Sequence, residues 1–285
     1  MITRSPLKAF ALGAPIGTLG GLIGLGGAEF RLPVLKATFG YPLLRAVALN
    51  LAVSLITLLA SLAVRLPSAP GAALEALAPV LLALIVGSMG GAYAGASYAS
   101  RIPVARLERI ILVLLVAIGA LLILEGFVHL GGAGVPLGLG GRVPIGVVLG
   151  VGIGLVSSLL GVAGGELIIP TLVLVFGADI KLAGTASVLV SLPTVVVGLL
   201  RHARKQGALP REDLTALVAP MGVGSILGAA AGGWLVPFVP ASALKLGLGA
   251  ILIVSAIRIF RHAKAAAAAP TAIPDEVAPE GGGPL

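Results

Sequence analysis

Residues 24–33 read GLGGAEFRLP, and residues 161–170 read GVAGGELIIP. An offset of 137 residues separates the two stretches, and it persists well beyond them. Gly24 matches Gly161, Gly27 matches Gly164, Glu29 matches Glu166 and Pro33 matches Pro170. Further along, Phe39-Gly40 matches Phe176-Gly177, Ser54 matches Ser191, Thr57 matches Thr194 and Pro103 matches Pro240, with no gap. Most of the chain is therefore one unit written twice, and each copy opens on a glycine-rich break.

Working outward, the 285 residues are 58% hydrophobic and 11% charged, with mean hydropathy +1.14. Too little charge is present to cover a water-soluble domain of this length. Apolar runs near the ~20 residues that span a bilayer as a helix recur along the chain. They do not alternate in polarity, which excludes a transmembrane β-barrel. The composition gives an all-α polytopic membrane protein in a lipid bilayer. The net charge of +8 is then a property of membrane loops and not a nucleic-acid signal. Cysteine is absent, which removes disulfides, thiolate metal sites and cysteine nucleophiles. No cofactor or metal is expected, since His129, His202 and His262 lack metal-ligand spacing. Arg4 and Lys8 before an apolar run imitate a secretory signal, but that run leads into the first break and belongs to the core.

Gly26-Gly27 divide residues 10–40 into an entering segment at about 10–25 and a returning one at about 28–40, because glycine weakens a helix. Spans follow at about 43–65, 74–99 and 105–129, then a Gly- and Pro-bearing linker at 131–144. The second copy repeats the plan, with a broken element at about 144–177 and spans at about 181–201, 212–236 and 241–262. Residues 1–137 form the first repeat, 138–264 the second, and the Ala-, Pro- and Gly-rich 265–285 a disordered tail.

Loop charge decides how each break runs. If each is a hairpin that returns to its own side, Arg45, the cluster Arg101/Arg106/Arg109, the group Arg201/Arg204/Lys205/Arg211 and the group Arg258/Arg261/Lys264 all share the face of the amino terminus. If each is a full crossing, Arg101, Arg106 and Arg109 move to the other side, against the positive-inside bias. Hairpins give five segments per copy. The expected architecture is therefore two inverted repeats, 5+5, with both termini cytoplasmic and the two breaks meeting at mid-membrane. Irregular backbone at that depth is tolerated where it is buried or lines a cavity.

The returning half-helices start just after Gly26-Gly27 in one copy and Gly164-Gly165 in the other, and Gly26, Gly27, Ala28, Gly164 and Gly165 are read as substrate-binding. Their free N–H groups carry partial positive charge, and glycine lets a ligand approach the backbone, so the pair can hold a small anion. Glu29 and Glu166 fall in the first turn. They are either capping carboxylates or proton-coupling groups, since ionisable residues inside a membrane are costly. Asn50, Ser54 and Thr57 share one face of the next span, as do Ser187, Ser191 and Thr194. Asn50, Ser54, Ser187 and Ser191 are read as lining for the anion. Arg31 has Ile168 at its matching place and is expected to neutralise a glutamate or, by preference, to snorkel to the interface. Arg65 and His202 occupy matching span ends and are read as guides for anions at opposite mouths of the pathway or, by preference, as interfacial anchors. Gly87, Gly91, Gly95 and Gly224, Gly228, Gly232 form ridges for close helix contact; such ridges would also permit a homodimer.

The paired motifs GLGGAEFRLPVL at 24–35 and GVAGGELIIPTL at 161–172, each followed by a small and polar span, resemble the TauE/SafE sulfite exporter family, of the 4-toluene sulfonate uptake permease type. The resemblance covers roughly residues 8–264. It implies a permease of the bacterial cytoplasmic (inner) membrane for small sulfur-containing anions, such as sulfite, sulfoacetate or other organosulfonates. The family's third motif glycine is Ala28 in the first copy, and its second is Ala163 in the second, so the half-sites are chemically unequal. The leading reading is a secondary transporter working by alternating access, with proton coupling through Glu29 or Glu166. An anion channel, or a permease for a different small organic anion, is the alternative. An intramembrane enzyme is disfavoured: the chain has no HExxH and no GxSxG-type elbow, and Asp179 is the one aspartate noted near a span.

Overall fold

A computed structural model describes residues 5–98, 104–128, 134, 138–160 and 162–268. His129, Arg101, Gly161 and the tail from residue 269 onward lie outside the described residues. The described residues are helical: α1 (Pro6–Ile23), α2 (Ala28–Ala37), α3 (Leu43–Arg65), α4 (Gly71–Tyr98), α5 (Val104–Val128), α6 (Leu139–Leu160), α7 (Gly165–Pro170), α8 (Ile180–Gln206), α9 (Arg211–Asp213), α10 (Ala219–Leu235) and α11 (Ala241–Ala268). Among them, six stretches are long and apolar enough to cross a membrane: Pro6–Ile23, Leu44–Ser68, Gly71–Gly95, Gly140–Ser158, Ile180–Arg204 and Arg211–Phe238. Large apolar side chains point outward from these helices. Leu82, Val86, Val148 and Leu227 are each more than half exposed, which is stable only against lipid.

Two expectations about boundaries change. The linker is shorter than 131–144, because α6 begins at Leu139 and carries Pro144 in its second turn. Residues 265–268, expected in the tail, belong to α11, and the rest of that stretch lies outside the described residues.

Both breaks fall where glycine takes the left-handed conformation. Gly24 closes α1 with φ 94°, its N–H bonding the Gly20 carbonyl at 2.8 Å. Gly26 and Gly27 follow at φ 77° and 73°, and Gly164 precedes α7 at φ 82°. A side chain with a Cβ is strained at such angles, so the two motifs need glycine there. After the first break the chain doubles back. A Cβ on Gly27 would touch Ile16 of α1, and Leu35 and Phe39 near the end of α2 share a core cluster with Ala9 near the start of α1. Pro170 ends α7 and cannot donate its own N–H, and one wider π turn, Thr171–Val175, completes that element.

The glycine ridges form the closest helix contacts. A Cβ on Gly87, Gly91 or Gly95 would strike Val147, Val151 or Leu155 and Ser158 of α6. A Cβ on Gly224, Gly228 or Gly232 would strike Phe10, Ala14 or Thr18 of α1. The partners differ by the same 137 residues as the ridges, with the copies exchanged. Thus α4 sits on α6 as α10 sits on α1. In the latter pair Gly13, Gly17 and Gly21 meet Met221, Ser225 and Ala229 in step, so α1 and α10 run parallel. The ridges are used within the chain, where small residues let backbones approach.

The central pair is α3 with α8. Leu51 approaches Gly198 and Arg65 approaches Gly184, so these two equivalent helices run antiparallel.

Candidate functional site

The two breaks touch. A Cβ on Gly165 would lie 3.1 Å from Leu25 Cα and 3.2 Å from the Gly24 carbonyl oxygen, and one on Gly26 would lie 3.5 Å from Ala163 Cβ. Ala163 packs with Leu58 of α3 and with Val188 and Val195 of α8, which joins both breaks to the central helix pair. Gly26, Gly27, Ala28, Gly164 and Gly165 are all buried there.

Arg31 does not snorkel. It is fully buried, and its guanidinium lies across the polar face of α3. Nη1 donates to Ser54 Oγ at 2.9 Å and to Asn50 Oδ1 at 3.4 Å. Nη2 donates to Thr57 Oγ1 at 3.1 Å and to the Gly26 carbonyl at 3.2 Å. Nε is buried without a partner. Asn50 Nδ2 donates in turn to the Ala28 carbonyl at 3.0 Å. The first polar stripe is thus gathered around a cation, and Asn50, Ser54 and Thr57 are all sealed from solvent.

The second stripe is dispersed. Ser187 Oγ donates to the Gly24 carbonyl of the other break at 2.6 Å. Thr194 pairs with Ser88 of α4, their hydroxyl oxygens 2.7 Å apart. Ser191 Oγ is buried with no hydrogen-bond partner. Ile168, the counterpart of Arg31, is buried and gives the stripe nothing to bond.

Neither glutamate caps its helix with a side-chain hydrogen bond. Both carboxylate oxygens of Glu29 are buried without a partner, and so is Oε1 of Glu166, a residue only 5% exposed. Buried polar atoms are nearly always satisfied, so orphans concentrated at one centre mark a place where another species binds or a proton resides.

Arg65 is not an interfacial anchor either. It is 2% exposed and donates through Nη1 to the Gly21 and Leu22 carbonyls at 2.8 and 3.0 Å. It also reaches the Lys181 carbonyl at 3.0 Å and Thr185 Oγ1 at 3.2 Å. The cation therefore sits at the carbonyl end of α1, where the helix dipole is negative.

One aspartate escaped the sequence reading. Asp213 is fully buried, accepts from Tyr41 Oη at 3.0 Å and from Arg45 Nε at 2.6 Å, and forms an ion pair with Arg45 Nη2. It lies inside the apolar stretch Arg211–Phe238, and an acid in such a stretch was itself the available signal.

Two cavities open at opposite ends of the α3–α8 pair. The larger, about 460 Å³, is lined by Arg65, Pro70, Ala73, Lys181, Leu182 and Thr185 among others. The smaller, about 180 Å³, is lined by His202, Gly207, Pro210, Arg45 and Ala48 among others. The 137-residue offset carries Arg65, Pro70 and Ala73 onto His202, Gly207 and Pro210, and Arg45 and Ala48 onto Leu182 and Thr185. They are the same place on the two copies, unequal in volume.

Fold and site together define a polytopic helical membrane protein whose two broken elements meet at its centre, an arrangement used by membrane transporters. The family described as "Sulfite exporter TauE/SafE" matches residues 1–122 and 146–282, and the chain belongs to it. Members of that family are transporters and not enzymes. No curated protein and no solved structure gives a significant match. Among the described residues, no group of three or more His, Cys, Asp or Glu side chains is placed to hold a metal ion.

Proposed function

We propose that this chain is a secondary transporter of small sulfur-containing anions, sulfite or an organosulfonate such as sulfoacetate, across the bacterial cytoplasmic membrane. It acts as a permease of the 4-toluene sulfonate uptake type and works by alternating access. The observation that carries the reading is the pair of equivalent cavities of unequal volume, at opposite ends of two antiparallel helices whose adjoining breaks meet between them. A two-mouthed pathway built from repeated halves switches sides when the halves exchange conformations. This favours a transporter over an anion channel, in which both mouths open together.

The reading includes inverted repeats of five segments each, residues 1–137 and 138–264. It is supported by the exchanged ridge partners, the antiparallel α3 and α8, and the doubling back of α2. The end that carries Arg45, Arg201 and Arg211 is the cytoplasmic one, by positive charge. Backbone at Gly26, Gly27, Ala28, Gly164 and Gly165 contacts the anion, and Ser187 and Ser191 line its path. Asn50 and Ser54 act through Arg31. Glu29 and Glu166 are the proton-coupling candidates, because their carboxylate oxygens are buried without hydrogen-bond partners.

The test is flux of sulfite and sulfoacetate in proteoliposomes under an imposed pH gradient, with acetate as the control. Saturable, gradient-driven flux of the sulfur anions with counterflow is expected. Equal flux of all three anions without counterflow would make the protein a channel. Glu166→Gln is expected to remove the response to the pH gradient while leaving half-saturation by sulfite unchanged. Loss of binding with intact pH response would remove Glu166 from the coupling.

A further inference from the structure

We infer that Arg31 is the fixed cation that receives the charge of the transported anion, an assignment that rests on the transport reading and deepens it. Four contacts hold the guanidinium, and all four acceptors are neutral: Asn50 Oδ1, Ser54 Oγ, Thr57 Oγ1 and the Gly26 carbonyl. Glu29, two residues away on α2, makes no hydrogen bond to it and acts on it only through charge. A cation removed from solvent is costly unless an anion is bonded to it, and neutral acceptors return only part of the lost hydration. The arginine is thus fully positioned and not neutralised by hydrogen bonding. Its Nε–H is the unfilled donor.

The chemistry of that donor selects the ligand class. A guanidinium presents N–H groups in a plane that matches the oxygens of an oxyanion. One oxygen on Nε fills the vacant donor. The longest contact, 3.4 Å to Asn50 Oδ1, is the one a second oxygen displaces at least cost. The first residues of α2 lie beside this place, so their free N–H groups add to the same field. The second copy has no equivalent: Ile168 is buried in the matching position, and Ser191, the counterpart of Ser54, has nothing to bond. Arg65 is also buried among neutral acceptors, but its Nε donates to Thr185 Oγ1, whereas that of Arg31 has no partner.

The experiment uses the full chain, with sodium sulfite as the probe and sodium chloride as the control. Two quantities are read: the rise in melting temperature on adding sulfite, and half-saturation of sulfite flux. Arg31→Gln is expected to abolish the sulfite-dependent rise and to raise half-saturation by about tenfold or more. Arg31→Lys keeps the charge but not the planar fork and is expected to fall between, which keeps the assignment testable where the glutamine variant does not fold. Wild-type sulfite response in either folded variant overturns it. A wild-type chain that sulfite stabilises but does not cross the membrane loses the transport reading and keeps the Arg31 assignment. A chain that sulfite neither stabilises nor crosses overturns both.

Discussion

At the first break, Arg31 draws Ser54, Thr57 and Asn50 into one buried network. At the second, Ile168 stands in its place, and Ser187, Ser191 and Thr194 go separate ways: to the opposite break, to no partner, and to Ser88 of α4. The backbones share a plan. Both breaks use left-handed glycine, start a half-helix with a glutamate at its second residue, and pack against the central helices. A few differences in a duplicated frame, with Ile168 in place of Arg31, Ser187 in place of Asn50 and Ala163 in place of Gly26, make the site asymmetric. The two mouths repeat the lesson. Arg45 and Tyr41 close on Asp213 at the smaller one, whereas the offset positions at the larger one hold Leu182, Ala178 and Ala76, which cannot make an ion pair.

The contact between the breaks is the most sensitive point of the comparison. Gly24→Val combines a β-branched residue at φ 94° with a clash against the Gly184 backbone. It is expected to cost roughly 4 kcal/mol and to remove most folded protein, as judged by thermal melting in detergent. Ile168→Arg asks whether the second stripe can hold a cation as the first does. With Ser187 and Thr194 already engaged, the new charge lacks acceptors, and a loss of roughly 3 kcal/mol is expected in the same assay. A variant as stable as the parent would show that the two stripes are interchangeable.

Asp213→Asn tests the mouths. It removes the charge that Arg45 pairs with, and because the Arg45 side chain is 33% exposed and can rehydrate, a cost of about 2 kcal/mol is expected. In this cysteine-free chain, a cysteine placed at Leu209 should then react faster with an aqueous maleimide, and one at Ala73 more slowly. Unchanged rates at both positions would separate the ion pair from the closure of that mouth. The smallest contrast is between two matched serines. Ser54→Ala takes an acceptor from Arg31 and is expected to cost about 1 kcal/mol, whereas Ser191→Ala removes an unsatisfied hydroxyl and is expected to be nearly neutral. Equal losses would mean that Ser191, like Ser54, has a partner.

Much of this was legible in the residues. The break at Gly26-Gly27, the returning segment, the span at 43–65 and the intramolecular role of the ridges at Gly87 and Gly224 all follow from glycine spacing and apolar length. The cations are where residue type misleads. A lone arginine in an apolar stretch ordinarily reaches for water, which points Arg31 and Arg65 outward. Both are instead bonded inside, one to a polar stripe and one to the carbonyl end of α1. Asp213 is hard to single out because its partners, Tyr41 and Arg45, are about 170 residues away in sequence.

Sequence alone determined the membrane class, the duplication and the location of both breaks, because these depend on composition, period and glycine conformation, all local properties of the chain. Tertiary structure alone decided that the breaks touch, that Arg31 is buried among neutral acceptors with Nε free, and that one mouth is tied while its counterpart is wider. The physical reason is that the cost of burying a charge or hydroxyl is set by which groups other helices bring to it, and those contacts are made across more than a hundred residues of chain.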